Sequence, residues 1–160
     1  PPALPLATVV APLAPERLDA ATHEAIGQFL DQGESANTRA SYASAGRYWV
    51  AWWQARYGRK HLDLPVPVPV VLQFIIDHAQ RLAPADEDQA PSELRHELPA
   101  EVDAALLSAG VKARRGAMSL AWLESRLSAL ARLHRSRELE SPTDSEHVRR
   151  MMRAVKSAYA

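Results

Sequence analysis

The sequence contains no cysteine, and its 160 residues carry no net charge. The lack of cysteine excludes disulfide bonds and thiolate metal sites, and it fits a reducing compartment such as the cytoplasm. No apolar run approaches the roughly 20 residues that a membrane-spanning helix needs, because prolines interrupt the apolar segment 66–76. These absences predict a cytoplasmic protein with neither disulfide bonds nor a membrane partner.

Motifs that signal catalysis or cofactor binding are also missing. No two of the six histidines lie three or four residues apart, the spacing at which one helix presents two metal ligands. There is no phosphate-binding glycine loop, no G-x-S-x-G and no prominent pair of carboxylates. His134 is therefore expected to pack in the core or to bond local carbonyls, and Tyr159 is not expected to be a nucleophile. We predict no catalytic residue, metal, cofactor or small-molecule substrate.

The zero net charge conceals a segregation of charge along the chain. Residues 35–60 carry five Lys and Arg and no acid, and residues 111–137 carry seven Lys and Arg and one Glu. Residues 1–34 carry five acids and one Arg, and residues 84–103 carry seven acids and one Arg. Because local charge decides where a phosphate backbone binds, the two basic segments are the candidates for a nucleic-acid contact.

Apolar residues recur at helical spacing, which predicts an all-α protein, a small bundle of four to five main helices with a short inserted helix. The predicted helices cover residues 14–31, 37–57, 68–82, 99–109 and 118–137, and a last helix capped by Thr143 or Asp144. Residues 1–15 are predicted to be a flexible arm, 16–160 a helical domain, and 84–95 an acidic loop. The predicted core contains Trp49, Trp52, Leu72, Ile75, Leu123, Leu127 and Leu130.

The predicted helices 37–57 and 118–137 each combine an apolar stripe with an opposite side of hydroxyls and arginines. These polar stripes consist of Asn37, Ser41, Ser44 and Arg47 on the first helix, and of Ser125, Ser128, Arg132 and Arg135 on the second. Short hydroxyls and arginines suit phosphate oxygens and base edges, so the pattern favours DNA binding over a merely solvated surface. Trp122 lies off the leucine stripe of its helix and is expected to be partly exposed.

Two segments carry a family resemblance. Residues 35–53, Ser-Ala-Asn-Thr-Arg-Ala-Ser-Tyr-Ala-Ser-Ala-Gly-Arg-Tyr-Trp-Val-Ala-Trp-Trp, resemble the first DNA-contacting helix of tyrosine recombinases, the phage-type integrases. Residues 119–134 resemble the later helix that ends in the family's usual histidine, and residues 141–156 look like the segment leading towards the catalytic domain. The resemblance covers about residues 16–158.

The resemblance implies the SAM-like helical core-binding domain of an integrase. Such a domain grips one face of a recombination-site duplex, while a C-terminal catalytic domain, expected to be absent from this chain, cleaves and exchanges the strands. The implied partners are double-stranded DNA at the bacterial nucleoid and further copies of the full-length protein. The implied DNA-binding residues are Thr38, Arg39, Ser41, Arg47, Ser125, Arg126, Ser128 and Arg132, with Arg114 and Arg115 reaching phosphates at the rim.

Two departures from the family pattern and two alternative functions stay open. The region 84–117 is longer than the connection in the simplest members, and Trp122 stands where many members carry threonine. The first alternative is a helical protein-interaction module whose basic surfaces are only solvated. The second is a helix-turn-helix regulator, which needs two helices joined by a turn of 3–4 residues; the last two helices, connected across 138–144, are loosely compatible with it.

Overall fold

A computed structural model describes residues 12–33, 35–82 and 94–159. Most of the predicted arm, 1–11, and most of the predicted loop, 84–93, lie outside these residues. Helices dominate the described part, as predicted, and a 3-10 turn at Pro142–Asp144 and a two-residue antiparallel pairing of β1 (Arg81–Leu82) with β2 (Leu94–Arg95) complete it. The helices are α1 (Ala20–Gln32), α2 (Ala36–Tyr57), α3 (Val68–His78), α4 (Ala100–Ser108), α5 (Leu120–Ser136) and α6 (Glu146–Tyr159).

The chain divides into two compact units, Pro1–Arg39 and Ala40–Ala160. In the first unit, α1 begins later than the predicted start at residue 14, because Asp19 has an extended backbone and caps the helix by accepting a hydrogen bond of 2.7 Å from the Thr22 amide. No side chain of α1 is buried, and Phe29 and Leu30 are 75% and 71% exposed.

The core of the second unit is built around aromatic side chains of α2 and α3. The ring of Trp49 stacks on Phe74 at 3.8 Å, and Trp52 meets Phe74 edge-on at 5.0 Å. The core prediction is confirmed for every position except Leu72, which is only partly buried because it lies beside the face of α3 that carries Val71 and Phe74. The buried members of the predicted core are Trp49, Trp52, Ile75, Leu123, Leu127 and Leu130.

Capping side chains and a glycine set the helix ends. Ser119 caps α5 by accepting from the Trp122 amide at 3.1 Å. Gly58, at φ 67°, follows the last residue of α2, Tyr57, which is the predicted end of that helix. The predicted cap of α6 is wrong. Thr143 and Asp144 lie in the 3-10 turn, and Ser145 caps the helix by accepting from the His147 amide at 3.2 Å.

Helix α3 ends at His78, four residues before its predicted end at residue 82, because distant residues take over its last polar groups. The Met118 amide donates to the His78 carbonyl at 2.9 Å, and the Gln80 amide donates to the Tyr159 hydroxyl at 3.0 Å. That hydroxyl in turn donates to the Met118 carbonyl at 2.6 Å. Tyr159 therefore joins α6 to the end of α3 and has a structural role.

Candidate nucleic-acid interface

The two polar stripes lie on the solvent side of their helices. Ser41 and Arg47 of α2 are exposed, and so are Ser125 and Ser128 of α5. Ser44 on α2 and Arg132 on α5 are half-buried. On α5 the core residues lie opposite the stripe, so Ser125 and Ser128 face outward. On α2, Ser41 lies one turn before the buried Ala45 and is exposed because no residue of α2 before Ala45 is buried. This arrangement makes the predicted contact surfaces accessible to a large partner.

Helices α2 and α5 are joined directly through side chains. The Trp49 indole nitrogen donates to the Arg126 carbonyl at 2.9 Å, which ties the middle of one helix to the backbone of the other. The Arg132 guanidinium lies over the Tyr42 ring, 4.1 Å from its centroid, a distance typical of a cation–π contact. The two helices that the sequence singles out as DNA-contacting are therefore linked by these side-chain contacts.

Arg126 has a packing role that the sequence did not predict. Its guanidinium lies 4.9 Å from the centroid of Trp122 and 5.5 Å from that of Tyr48. Its Nε atom is buried and has no hydrogen-bond partner in the described part of the chain. Burial lowers the pKa of this guanidinium, against a smaller opposing effect of Tyr48. Arg126 thus helps to join α5 to α2, and a DNA contact through it stays a prediction.

Beneath Arg126, a neutral Tyr48–His78 pair is buried between α2 and α3. His78 Nδ1 lies 2.7 Å from the Phe74 carbonyl and donates to it, which leaves Nε2 to accept from the Tyr48 hydroxyl. Burial raises the pKa of Tyr48 and lowers that of His78 to about 4, so both groups stay uncharged near neutral pH. Trp122 is partly exposed, as predicted, and packs edge-on against Tyr48 at 4.8 Å.

Acidification is expected to destabilise the protein through His78. Its folded-state pKa of about 4 lies below the ordinary value of 6.5, so the unfolded chain takes up the proton first as the pH falls. The stabilising contribution is complete above pH 6.5 and disappears towards pH 4, a loss of roughly 3 kcal/mol. Urea unfolding across this range measures it. A pH dependence in the His78→Gln variant that matches that of wild type would contradict the assignment.

The connection between α4 and α5 carries Arg114 and Arg115, both exposed. The flanking backbone is fixed by Lys112, whose buried ammonium donates to the Asp103 carboxylate and, at 2.6 Å, to the Gly116 carbonyl. Asp103 also accepts from the Gly116 amide at 2.8 Å. Burial alone would raise the pKa of Asp103, but the hydrogen bonds from Lys112 and Gly116 lower it overall. The two arginines therefore extend from an anchored segment.

Thr38 and Arg39 belong to the first unit, Pro1–Arg39. The Thr38 amide donates to the Ser35 hydroxyl at 3.1 Å, and the two hydroxyl oxygens are 2.7 Å apart. Ser35 thus caps α2, and Thr38 is engaged in that cap. Arg39 is exposed. DNA contacts by Thr38 and Arg39 remain predictions.

An apolar cleft of about 470 Å³ that the sequence did not reveal lies between α2 and α5. Small residues on both helices create the space, notably Ala43 and Gly46 on α2 and Ala129 on α5. Tyr42 and Arg132, the cation–π pair, line it as well. The alanines and the glycine were the available signal, but small residues occur on many helix surfaces and gave no reason to expect a cleft.

No protein-family model matches the sequence, and no curated protein or solved structure is detectably similar to it. Across residues 12–33, 35–82 and 94–159, none of the helices combines the length and the apolar character needed to cross a membrane. In the same residues, no group of three or more His, Asp or Glu side chains is placed to hold a metal ion.

Proposed function

We propose that the protein binds double-stranded DNA through the exposed sides of α2 and α5. The observation that carries the proposal is that α2, which has no acidic residue, packs directly on α5 and that both helices expose hydroxyls and arginines. An acid-free helix can approach a phosphate backbone without charge repulsion. Ser41 and Ser128 are short enough to contact phosphates closely, while Arg47 and Arg132 reach further.

Removing stripe arginines is expected to weaken DNA binding and its dependence on salt. Fluorescence anisotropy with a labelled 30-base-pair duplex of random sequence, titrated across a salt series, measures both. Removal of one phosphate-binding cation should reduce the magnitude of the log–log salt slope by roughly 0.9, so the slope of the Arg47→Ala, Arg132→Ala double variant should fall by roughly 1.8. Arg47→Lys should retain most of the slope, because lysine still binds a phosphate as a point charge.

Arg59→Ala is the matched control for the removal of one exposed positive charge. Arg59 lies in the connection between α2 and α3, outside both stripes, and pairs with the exposed Asp63. Arg56 is unsuitable because its guanidinium donates to the buried Asp77 at 2.7 Å and 2.8 Å. If the stripe variants have the same affinity and salt slope as wild type and Arg59→Ala, the DNA surface lies elsewhere.

The finer proposal is that the chain is the core-binding domain of a tyrosine recombinase that works at the bacterial nucleoid. Its support is the resemblance of residues 35–53 and 119–134 to two helices of that family. The helices formed by these segments, α2 and α5, also contact each other directly. Selection of bound duplexes from a random library tests it. We expect one asymmetric half-site per bound chain, whereas a symmetric operator would contradict it. The nine residues 137–145 between α5 and α6 are too many for the turn of a helix-turn-helix pair.

A protein-interaction module is the second candidate, and the cleft between α2 and α5 is the observation that favours it. Its lining is largely apolar, including Val50 and Leu133, and clefts of this kind accept apolar side chains of a partner. The two candidates differ in their response to salt. If the random duplex fails to bind at low ionic strength, where attraction to phosphates is strongest, the interaction module becomes the better interpretation.

A further inference from the structure

Helix α6 has two chemically distinct sides. Its apolar side faces the bundle, where Val148 and Val155 are buried and Met151 and Met152 pack partly buried against the core. Its other side carries four exposed cations, which we call the α6 ridge: Arg149, Arg150, Arg153 and Lys156.

Acidic neighbours pair with two of these four cations, and only through exposed contacts. Arg153 pairs with Glu146 at 3.1 Å and Lys156 with Glu124 at 3.6 Å, and all four side chains in these pairs are largely exposed. Exposed pairs of this kind are worth about 0–1 kcal/mol and exchange readily with other anions. Within the described residues, Arg149 and Arg150 form no ion pair. The ridge therefore carries two cations without an ion-pair partner in the described part of the chain, beside two that form exposed pairs.

The α6 ridge is continuous with the polar stripe of α5. Lys156 reaches Glu124, which lies four residues, and so about one helical turn, before Ser128 of that stripe. Arg149, Arg153 and Lys156 fall at positions i, i+4 and i+7, so they form one line about 10 Å long. That length covers roughly three nucleotides of one DNA strand, at about 3.4 Å per phosphate along the axis. A duplex lying on α5 would meet the ridge at its edge.

We infer that the α6 ridge is a second phosphate-binding surface, which extends the surface formed by α2 and α5 along the same DNA duplex. The inference rests on the proposed function. A lipid surface fits the ridge less well, because helices that lie in a bilayer surface insert an apolar side. The apolar side of α6 is already occupied by the core, so the helix offers a partner charge alone.

The test is anisotropy titration of the random 30-base-pair duplex with the Arg149→Ala, Arg150→Ala double variant. We expect the magnitude of the salt slope to fall by roughly 1.8, since the variant lacks two phosphate-binding cations. The Arg149→Lys, Arg150→Lys variant should behave like wild type, because it keeps both charges. The thermal midpoint should stay unchanged, which shows that weaker binding does not come from unfolding.

The outcomes separate the inference from the proposed function. A wild-type slope in the Arg149→Ala, Arg150→Ala variant, together with a reduced slope in the Arg47→Ala, Arg132→Ala variant, would overturn the role of the ridge and keep the DNA surface on α2 and α5. Failure of the wild-type protein to bind the duplex would overturn both. Sedimentation with vesicles of phosphatidylserine and phosphatidylcholine is the third arm. Vesicle binding that depends on Arg149 and Arg150, with DNA binding unaffected, would assign the ridge to lipid and overturn the inference.

Discussion

Replacing Trp52 with alanine is expected to lower the free energy of unfolding by about 3–5 kcal/mol. The side chain is fully buried, and its indole nitrogen donates to the Asp77 carboxylate at 2.9 Å. The substitution would leave a cavity beside Trp49 and Phe74 and would remove one of the donors of a buried carboxylate. Urea denaturation followed by circular dichroism measures the destabilisation.

Two companion variants make the Trp52 prediction specific. Trp52→Phe keeps most of the apolar volume and removes only the donor, so we expect a smaller destabilisation, about 1–3 kcal/mol. Leu72→Ala should cost roughly 1–2 kcal/mol, because Leu72 is only partly buried and contributes less buried apolar surface. Equal destabilisation by Trp52→Ala and Leu72→Ala would show that the core is not centred where the structure puts it.

The contrast between Trp52 and Leu72 shows which core residues the spacing of apolar residues can predict. Spacing along one helix identifies its apolar side, and the predicted cores of α2 and α5 are confirmed for that reason. It does not fix where that side meets its neighbours. Leu72 shares the apolar pattern of α3, but Phe74, rather than Leu72, stacks on Trp49. Whether a residue at the margin of the apolar side is buried depends on the helix that packs against it. The sequence of one helix alone does not provide that information.

Helix ends also fall into two groups, those set by neighbouring residues and those set by distant ones. The ends set by adjacent residues were predictable: Ser119 is an ordinary N-cap, and Gly58 adopts the positive φ that favours glycine. The end of α3 at His78 was not predictable, because residues far along the chain bond to the backbone there. Met118, 40 residues after His78, donates to the His78 carbonyl, and Tyr159, 81 residues after His78, accepts from the Gln80 amide. Local propensity would have continued the helix, and tertiary hydrogen bonds ended it.

The candidate interface shows the same limit. Hydroxyls and arginines at helical spacing identified Ser41, Arg47, Ser125 and Ser128, which are exposed, but also Ser44 and Arg132, which are half-buried. The place of Arg126 over Tyr48 and Trp122 depends on how the two helices approach each other. An arginine that the sequence predicts to be exposed can therefore pack against aromatic rings of a neighbouring helix. Only the packing of the two helices shows such a contact.

Replacing Lys112 with methionine is expected to destabilise the protein by about 3–5 kcal/mol, the usual cost of removing one partner from a buried ion pair. Methionine keeps the apolar stem but leaves the Asp103 carboxylate buried without its cation. The hydrogen bond from the Gly116 amide would remain and compensates only part of that cost. Because Lys112 also donates to the Gly116 carbonyl, the segment bearing Arg114 and Arg115 should loosen as well.

A double variant separates the effect of the uncompensated buried charge from that of the lost hydrogen bond to the Gly116 carbonyl. In Lys112→Met, Asp103→Asn both charges are gone, and the asparagine oxygen can still accept from the Gly116 amide. We expect this variant to be considerably more stable than Lys112→Met, because no uncompensated charge stays buried. Amide hydrogen exchange at Gly116 reports the local effect and should be faster in Lys112→Met than in wild type. A double variant as unstable as Lys112→Met would mean that the hydrogen bond from Lys112 to the Gly116 carbonyl, which both variants lose, matters more than the uncompensated charge of Asp103.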